Sequence, residues 1–186
     1  MNTTTMRRSR LLGAAFGLLF VCSAGATSVP RITFNELTDK SEVIAAGQVT
    51  RTWSDWDATH KYIWTHYELA VSSAYKGAAA SRVVISEPGG IVDGIGMLVA
   101  GAVGYTPGDQ VFVFLERMPN GYLRTTGWGQ GQYRVDSRGL VHASESLREE
   151  NITGGANSLG TLEGSRMTDL AGKVAARIRV QKTGKN

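Results

Sequence analysis

Cysteine is almost absent: the 186 residues hold one, Cys22. An internal disulfide needs two, so none can form, and past residue 22 there is no thiolate for catalysis or for a thiolate-ligated zinc site. A membrane-spanning run is missing as well. The apolar stretch Leu11 to Val21 falls short of the roughly 20 residues a spanning helix needs, and small and polar residues follow it. Also lacking is a Gly-x-Ser-x-Gly elbow, which removes the most legible route to serine hydrolysis. The spaced glycines Gly127, Gly129 and Gly131 lie between strand-like segments with no helix behind them, so they are not a phosphate loop.

A broad basic face is lacking too. The formal net charge is +4, but Arg7, Arg8 and Arg10 sit in the first ten residues. Without them 17 basic residues face 16 acidic ones, and the excess is confined to residues 166–186, where six basic groups meet only Asp169. Residues 27–165 carry 11 basic and 15 acidic groups. A nucleic-acid binder shows its basic patch on the domain itself, so no nucleic-acid partner is expected.

What is present begins with a leader. The three arginines form a basic n-region, Leu11 to Val21 an apolar h-region, and Ala24-Gly25-Ala26 a small-residue cleavage site before Thr27. Residues 1–26 thus read as a secretory signal peptide. Val21 before Cys22 fits a lipoprotein site poorly. The expectation is an exported protein, periplasmic or extracellular, with a cysteine-free mature chain of residues 27–186. That length suits one domain with its own core.

Along the mature chain, Thr33 to Glu36 matches a capping box and predicts a short helix over 34–41. Alternating apolar positions predict strands over 42–53, 62–75 and 82–86, with Gly47 marking a bulge or bend. Residues 89–108 hold seven glycines among Ile91, Ile95, Met97, Leu98, Val99 and Val103. The segment is apolar but too interrupted for a regular element. It is either a flap that binds a partner or a plug that closes one barrel end. Val111 to Leu115 is a continuous apolar run and reads as the central strand. Asn120-Gly121 predicts a hairpin turn, with 122–126 pairing back and short strands at 133–135 and 140–142. Residues 143–164, rich in Gly, Ser and Asn, read as a flexible linker. Residues 165–180 form an amphipathic helix packed on the barrel, and 181–186 fray. The resulting fold is mainly β: a small, partly open, OB-like barrel of five to six strands over 27–142, with one short N-terminal and one C-terminal helix.

Candidate chemistry is sparse. His60 with Asp55 and Asp57 offers metal-ligating atoms on one turn, but a flexible turn fixes no geometry, and the pattern is not a calcium loop. His66 and Glu68 share a strand face and offer an acid–base pair, against the plainer reading of an exposed face. Trp53, Trp56, Trp64 and Trp128 offer a stacking surface, with barrel-end packing as the plainer alternative. Met97 and Leu98 complete the candidate binding set. No cofactor is expected.

Taken in order, several segments resemble a group of uncharacterised exported bacterial proteins. They are Val43-Ile44-Ala45-Ala46-Gly47-Gln48-Val49, Tyr67 to Val71 with Tyr75-Lys76-Gly77, Pro88-Gly89-Gly90, Pro107-Gly108-Asp109 before Val111 to Leu115, and Gly131 to Val135. The same order is distantly similar to the netrin-like OB barrel, which includes the tissue inhibitors of metalloproteinases. The first likeness implies no activity. The second implies inhibition through an N-terminal cysteine, which a chain starting near Thr27 does not have. The expected function is therefore a non-enzymatic exported domain that binds a protein or envelope component. The rivals are a metal-dependent hydrolase using His60 or His66 and a protease-associated inhibitor or chaperone.

Overall fold

The computed structural model describes residues 31–77, 81–144 and 159–184. The expected leader, most of the expected linker and the last two residues lie outside the described residues. Helix α1 (Phe34–Lys40) starts where the capping box places it. The Thr33 amide donates to Glu36 Oε2 at 2.7 Å and the Glu36 amide to Thr33 Oγ1 at 3.2 Å, so two otherwise orphaned donors are satisfied.

Strands β1 (Val43–Trp56), β2 (Ile63–Lys76) and β3 (Arg82–Pro88) follow as an antiparallel meander. Strand β6 (Gln110–Arg117) pairs with β1 and, across a tight turn, with β7 (Leu123–Thr125). Strand β7 runs parallel to β3 and meets it at one residue pair, Ile85 with Leu123. The circuit β1-β2-β3-β7-β6 therefore returns to β1 through a thin seam, which makes a partly open, OB-like barrel. Strands β8 (Gln132–Val135) and β9 (Val141–Ala143) extend the sheet from β6. Gly47 sits at a register shift between β1 and β2, and a Cβ there would lie 2.1 Å from the Ala70 carbonyl oxygen. The bend predicted at this glycine is thus a close backbone approach.

Two apolar clusters share β6. Val111, Val113 and Leu115 point into the barrel with Leu69, Ile85 and Ala45. Phe112 and Phe114 point outward to Ile44, Leu37 of α1 and Leu170 and Val174 of helix α2 (Met167–Thr183). All five β6 side chains are at most 1 % exposed, as a continuous apolar run between two layers requires. Among the described residues, no helix is long and apolar enough to cross a membrane.

Three sequence expectations need correction. The glycine-rich segment does form regular structure: β4 (Gly90–Val92) pairs with β5 (Ile95–Met97). The turn residues Asp93 and Gly94 both have positive φ, 50° and 78°, which is the hairpin geometry an Asp-Gly pair favours. The linker read over 143–164 ends earlier than expected. Leu159 and Leu162 are buried in the outer cluster, and Val141 exchanges backbone hydrogen bonds with Gly164 and Ser165. Finally, α2 continues to Thr183 where fraying was expected from 181. Arg177 pairs with Asp39 of α1, and Gln181 Nε2 donates to the same carboxylate at 2.6 Å.

Candidate binding surface

Three of the six proposed binding residues, Trp53, Trp56 and Trp64, gather at the far end of the β1–β2 ribbon, because β1 and β2 pair there from Trp53–His66 to Trp56–Ile63. An aromatic row crosses this end. Trp53 stacks on His66 with ring centres 5.3 Å apart, His66 meets Tyr122 edge-on at 5.3 Å, and Tyr122 meets Trp64 at 5.1 Å. The Arg51 guanidinium lies 4.8 Å from the Trp53 ring centre. The row packs largely against itself, so Trp53 and Trp64 are half-buried. Trp128 is engaged in the same way, with the Arg124 guanidinium 3.4 Å from its ring centre.

His66 is not on an exposed face. It is 7 % exposed, its Nδ1 lies 2.8 Å from Ser86 Oγ, and burial holds its pKa below the ordinary imidazole value. Its strand neighbour Glu68 turns to other partners, accepting from Thr50 Oγ1 at 2.8 Å and pairing with Arg82. The acid–base pair suggested by their spacing is therefore two separate structural groups.

The metal-like turn resolves similarly. The Asp57 carboxylate accepts from the Thr59 hydroxyl at 2.6 Å and from the Lys61 and Tyr62 amides at 2.8 and 3.0 Å. These bonds, the Thr59 hydroxyl foremost, hold its pKa down to about 2. His60 instead stacks on Trp56, with ring centres 6.0 Å apart. Asp57 is thus a turn-capping acid. Among the described residues no group of three or more His, Cys, Asp or Glu is placed to hold a metal ion.

The β4–β5 hairpin springs from the same end. The Gly89 amide donates to the Ile63 carbonyl at 2.8 Å, and Thr65 Oγ1 donates to the Gly89 carbonyl at 2.7 Å. Gly90, at φ 139°, lies where a Cβ would meet Thr65 Oγ1 at 2.4 Å and Ser54 Oγ at 2.7 Å. Beyond this root the hairpin leaves the barrel, and Ile91, Ile95 and Leu98 are 72 %, 55 % and 98 % exposed. Met97 is half-buried. The chain then turns back: Val103 and Tyr105 enter the barrel interior, where the Tyr105 ring lies on Tyr67 and its hydroxyl is 2.5 Å from Thr125 Oγ1. One segment therefore contributes both an exposed hairpin and a buried stretch: of the apolar residues considered for a barrel plug, Val103 is buried, while Ile91, Ile95 and Leu98 are exposed.

The sequence reading missed Tyr122 and the exposed Tyr62, which flank the row and the loop. Tyr122 directly follows the Asn120-Gly121 turn, and a turn that ends beside an aromatic was the available signal. It also missed a cleft of about 490 Å³ between residues 101–104 and β8–β9, lined in part by Gln132, Arg134 and His142. In its wall the two His142 nitrogens lie 2.9 Å from Glu163 Oε1 and 3.3 Å from Asp136 Oδ2. Glu163 first and Asp136 second hold this imidazole above its ordinary pKa. The contact fastens β9 to the chain entering α2. No protein-family model matches this sequence, and no curated protein matches it either.

Proposed function

We propose that this protein is an exported, non-enzymatic binding domain of the cell envelope or its surroundings, and that it holds a protein partner through the β4–β5 hairpin. Export rests on the leader pattern of residues 1–26. The observation that carries the binding role is the hairpin itself: three large aliphatic side chains stand in water on a regularly paired hairpin anchored at its root. An aliphatic cluster of this kind on a protein surface marks an interaction site. The half-buried Trp56 and exposed Tyr62 at the same end supply aromatic anchors of the type that dominate protein interfaces. The catalytic rivals have less support, because His66 and Asp57 are each engaged in structural hydrogen bonds.

Site-resolved crosslinking in the native host tests this reading. A photoreactive residue in place of Leu98 is expected to give one discrete crosslinked protein. The same residue in place of Val180, on α2 and 60 % exposed, is the control and should not. Equal crosslinking from both positions, or none from position 98, overturns the proposal.

A further inference from the structure

The barrel is closed unevenly. Strands β2 and β3 are joined by seven residue pairs, whereas β3 and β7 are joined by one, Ile85 with Leu123. Past that pair the ladder is replaced by a side chain. Glu87 Oε1 accepts the Thr125 amide at 2.8 Å, and Oε2 lies 3.3 Å from Arg124 Nε. The two side chains are only 2 % and 12 % exposed. Arg124 is pressed against Trp128, which is held at φ 59°, in the left-handed region that bulky residues rarely adopt. Among the described residues Arg124 Nη2 is buried without a hydrogen-bond partner. A one-pair strand contact, a carboxylate standing in for a backbone acceptor, a strained tryptophan and an orphaned donor thus coincide at one place.

We propose that the β3–β7 seam is a latch at which the barrel opens locally, with Glu87, Arg124 and Trp128 holding it shut. Backbone ladders elsewhere in the circuit keep their pairs when the seam parts, because β7 remains bonded to β6 through Leu115–Thr125 and its neighbours. Burial pushes the Glu87 carboxyl above its ordinary value, with the Thr125 and Arg124 bonds opposing that shift. The charged latch is therefore held under a desolvation penalty that opening relieves. Parting the seam frees the β3 backbone at Ile85 and the Glu87 carboxylate from their β7 partners. The proposal concerns the barrel alone and stands whether or not the hairpin holds a partner.

Two adjacent amides make the test. The Thr125 amide donates across the seam to Glu87, while the Thr126 amide donates to the Phe114 carbonyl at 2.8 Å on the other side. Native-state hydrogen exchange, read by NMR on the whole chain, should show Thr125 at least tenfold less protected than Thr126. Glu87→Gln keeps an acceptor oxygen but removes the charge facing Arg124. It should lower Thr125 protection by a further tenfold or more and leave Thr126 unchanged. Protection of the two amides within tenfold of each other in the unaltered protein overturns the latch, and that comparison decides the matter even if the variant fails to fold. A Glu87→Gln variant in which both amides lose protection together overturns it as well, since the carboxylate would then support the whole barrel.

Discussion

Strand β6 and the β4–β5 hairpin are both rich in large apolar side chains and end in opposite environments. Val111 to Leu115 are almost completely buried, while Ile91, Ile95 and Leu98 stand in solvent. The difference lies in what surrounds each backbone. Strand β6 pairs with β1, β7 and β8, and has the barrel interior on one face and the two helices on the other. The hairpin strands pair only with each other. Hydrophobicity says that a side chain gains by burial, but the topology decides whether a layer exists to bury it.

The strongest way to break this comparison is to truncate β6. Phe114 is fully buried and meets Phe34, Phe112 and Tyr133 at ring separations of 5.5–6.2 Å. Phe114→Ala should cost about 3–5 kcal/mol, a large share of the roughly 5–15 kcal/mol that a domain has. Urea unfolding followed by tryptophan fluorescence checks this. A midpoint close to the parent's would mean that β6 is not where the two layers are joined.

Next comes the joint between the two regions. Gly90→Ala would force a Cβ against the Ser54 and Thr65 hydroxyls, which are 2.9 Å apart, at a φ of 139° that L side chains avoid. The expected cost is about 1–3 kcal/mol. The damage should be local, so amide shifts in NMR should change around 54, 65 and 88–98 and remain in place across β6. Changes spreading through β6 would show that hairpin and barrel are one cooperative unit rather than two regions.

Tyr105→Phe probes the buried end of the same glycine-rich segment. The hydroxyl lost is the partner of Thr125 Oγ1, which is fully buried. The Thr125 hydroxyl keeps its bond to the Glu87 carboxylate, so losing this one hydrogen bond should cost about 0.5–1.5 kcal/mol. A neutral outcome in the same unfolding assay would mean that residues 103–105 do not plug the barrel.

The contrast also separates what the sequence could tell from what it could not. The capping box at Thr33, the bend at Gly47, the central run of β6, the Asn120-Gly121 turn and the C-terminal amphipathic helix are local signals, and each led to the element found. The Asp93-Gly94 turn was a local signal of the same kind, obscured by the other glycines around it. The burial of His66 was not local. It depends on Tyr122, more than fifty residues away, folding over the β2 surface. Likewise Glu87 reads as an ordinary strand-end acid until β7 is laid beside it. The burial of Leu159 and Leu162 in a segment of otherwise linker-like composition requires knowing that β9 offers a free edge for the chain to return along.

The smallest stability effect is expected at the hairpin, and it bears most directly on function. Leu98 is 98 % exposed, so Leu98→Ser removes almost no buried apolar surface. At about 25 cal/mol per Å² of area taken from water, there is little area to lose. The change should stay within about 0.5 kcal/mol of the parent, as surface substitutions do. Met97, its half-buried neighbour, serves as the contrast: Met97→Ser should destabilise measurably more. The same Leu98→Ser protein should lose its partner in a co-purification from the native envelope, because an exposed aliphatic that contributes nothing to folding remains available for contact. A loss of more than about 1 kcal/mol on Leu98→Ser would place that side chain inside the folded structure. The hairpin would then be a second plug, and the contrast with β6 would disappear.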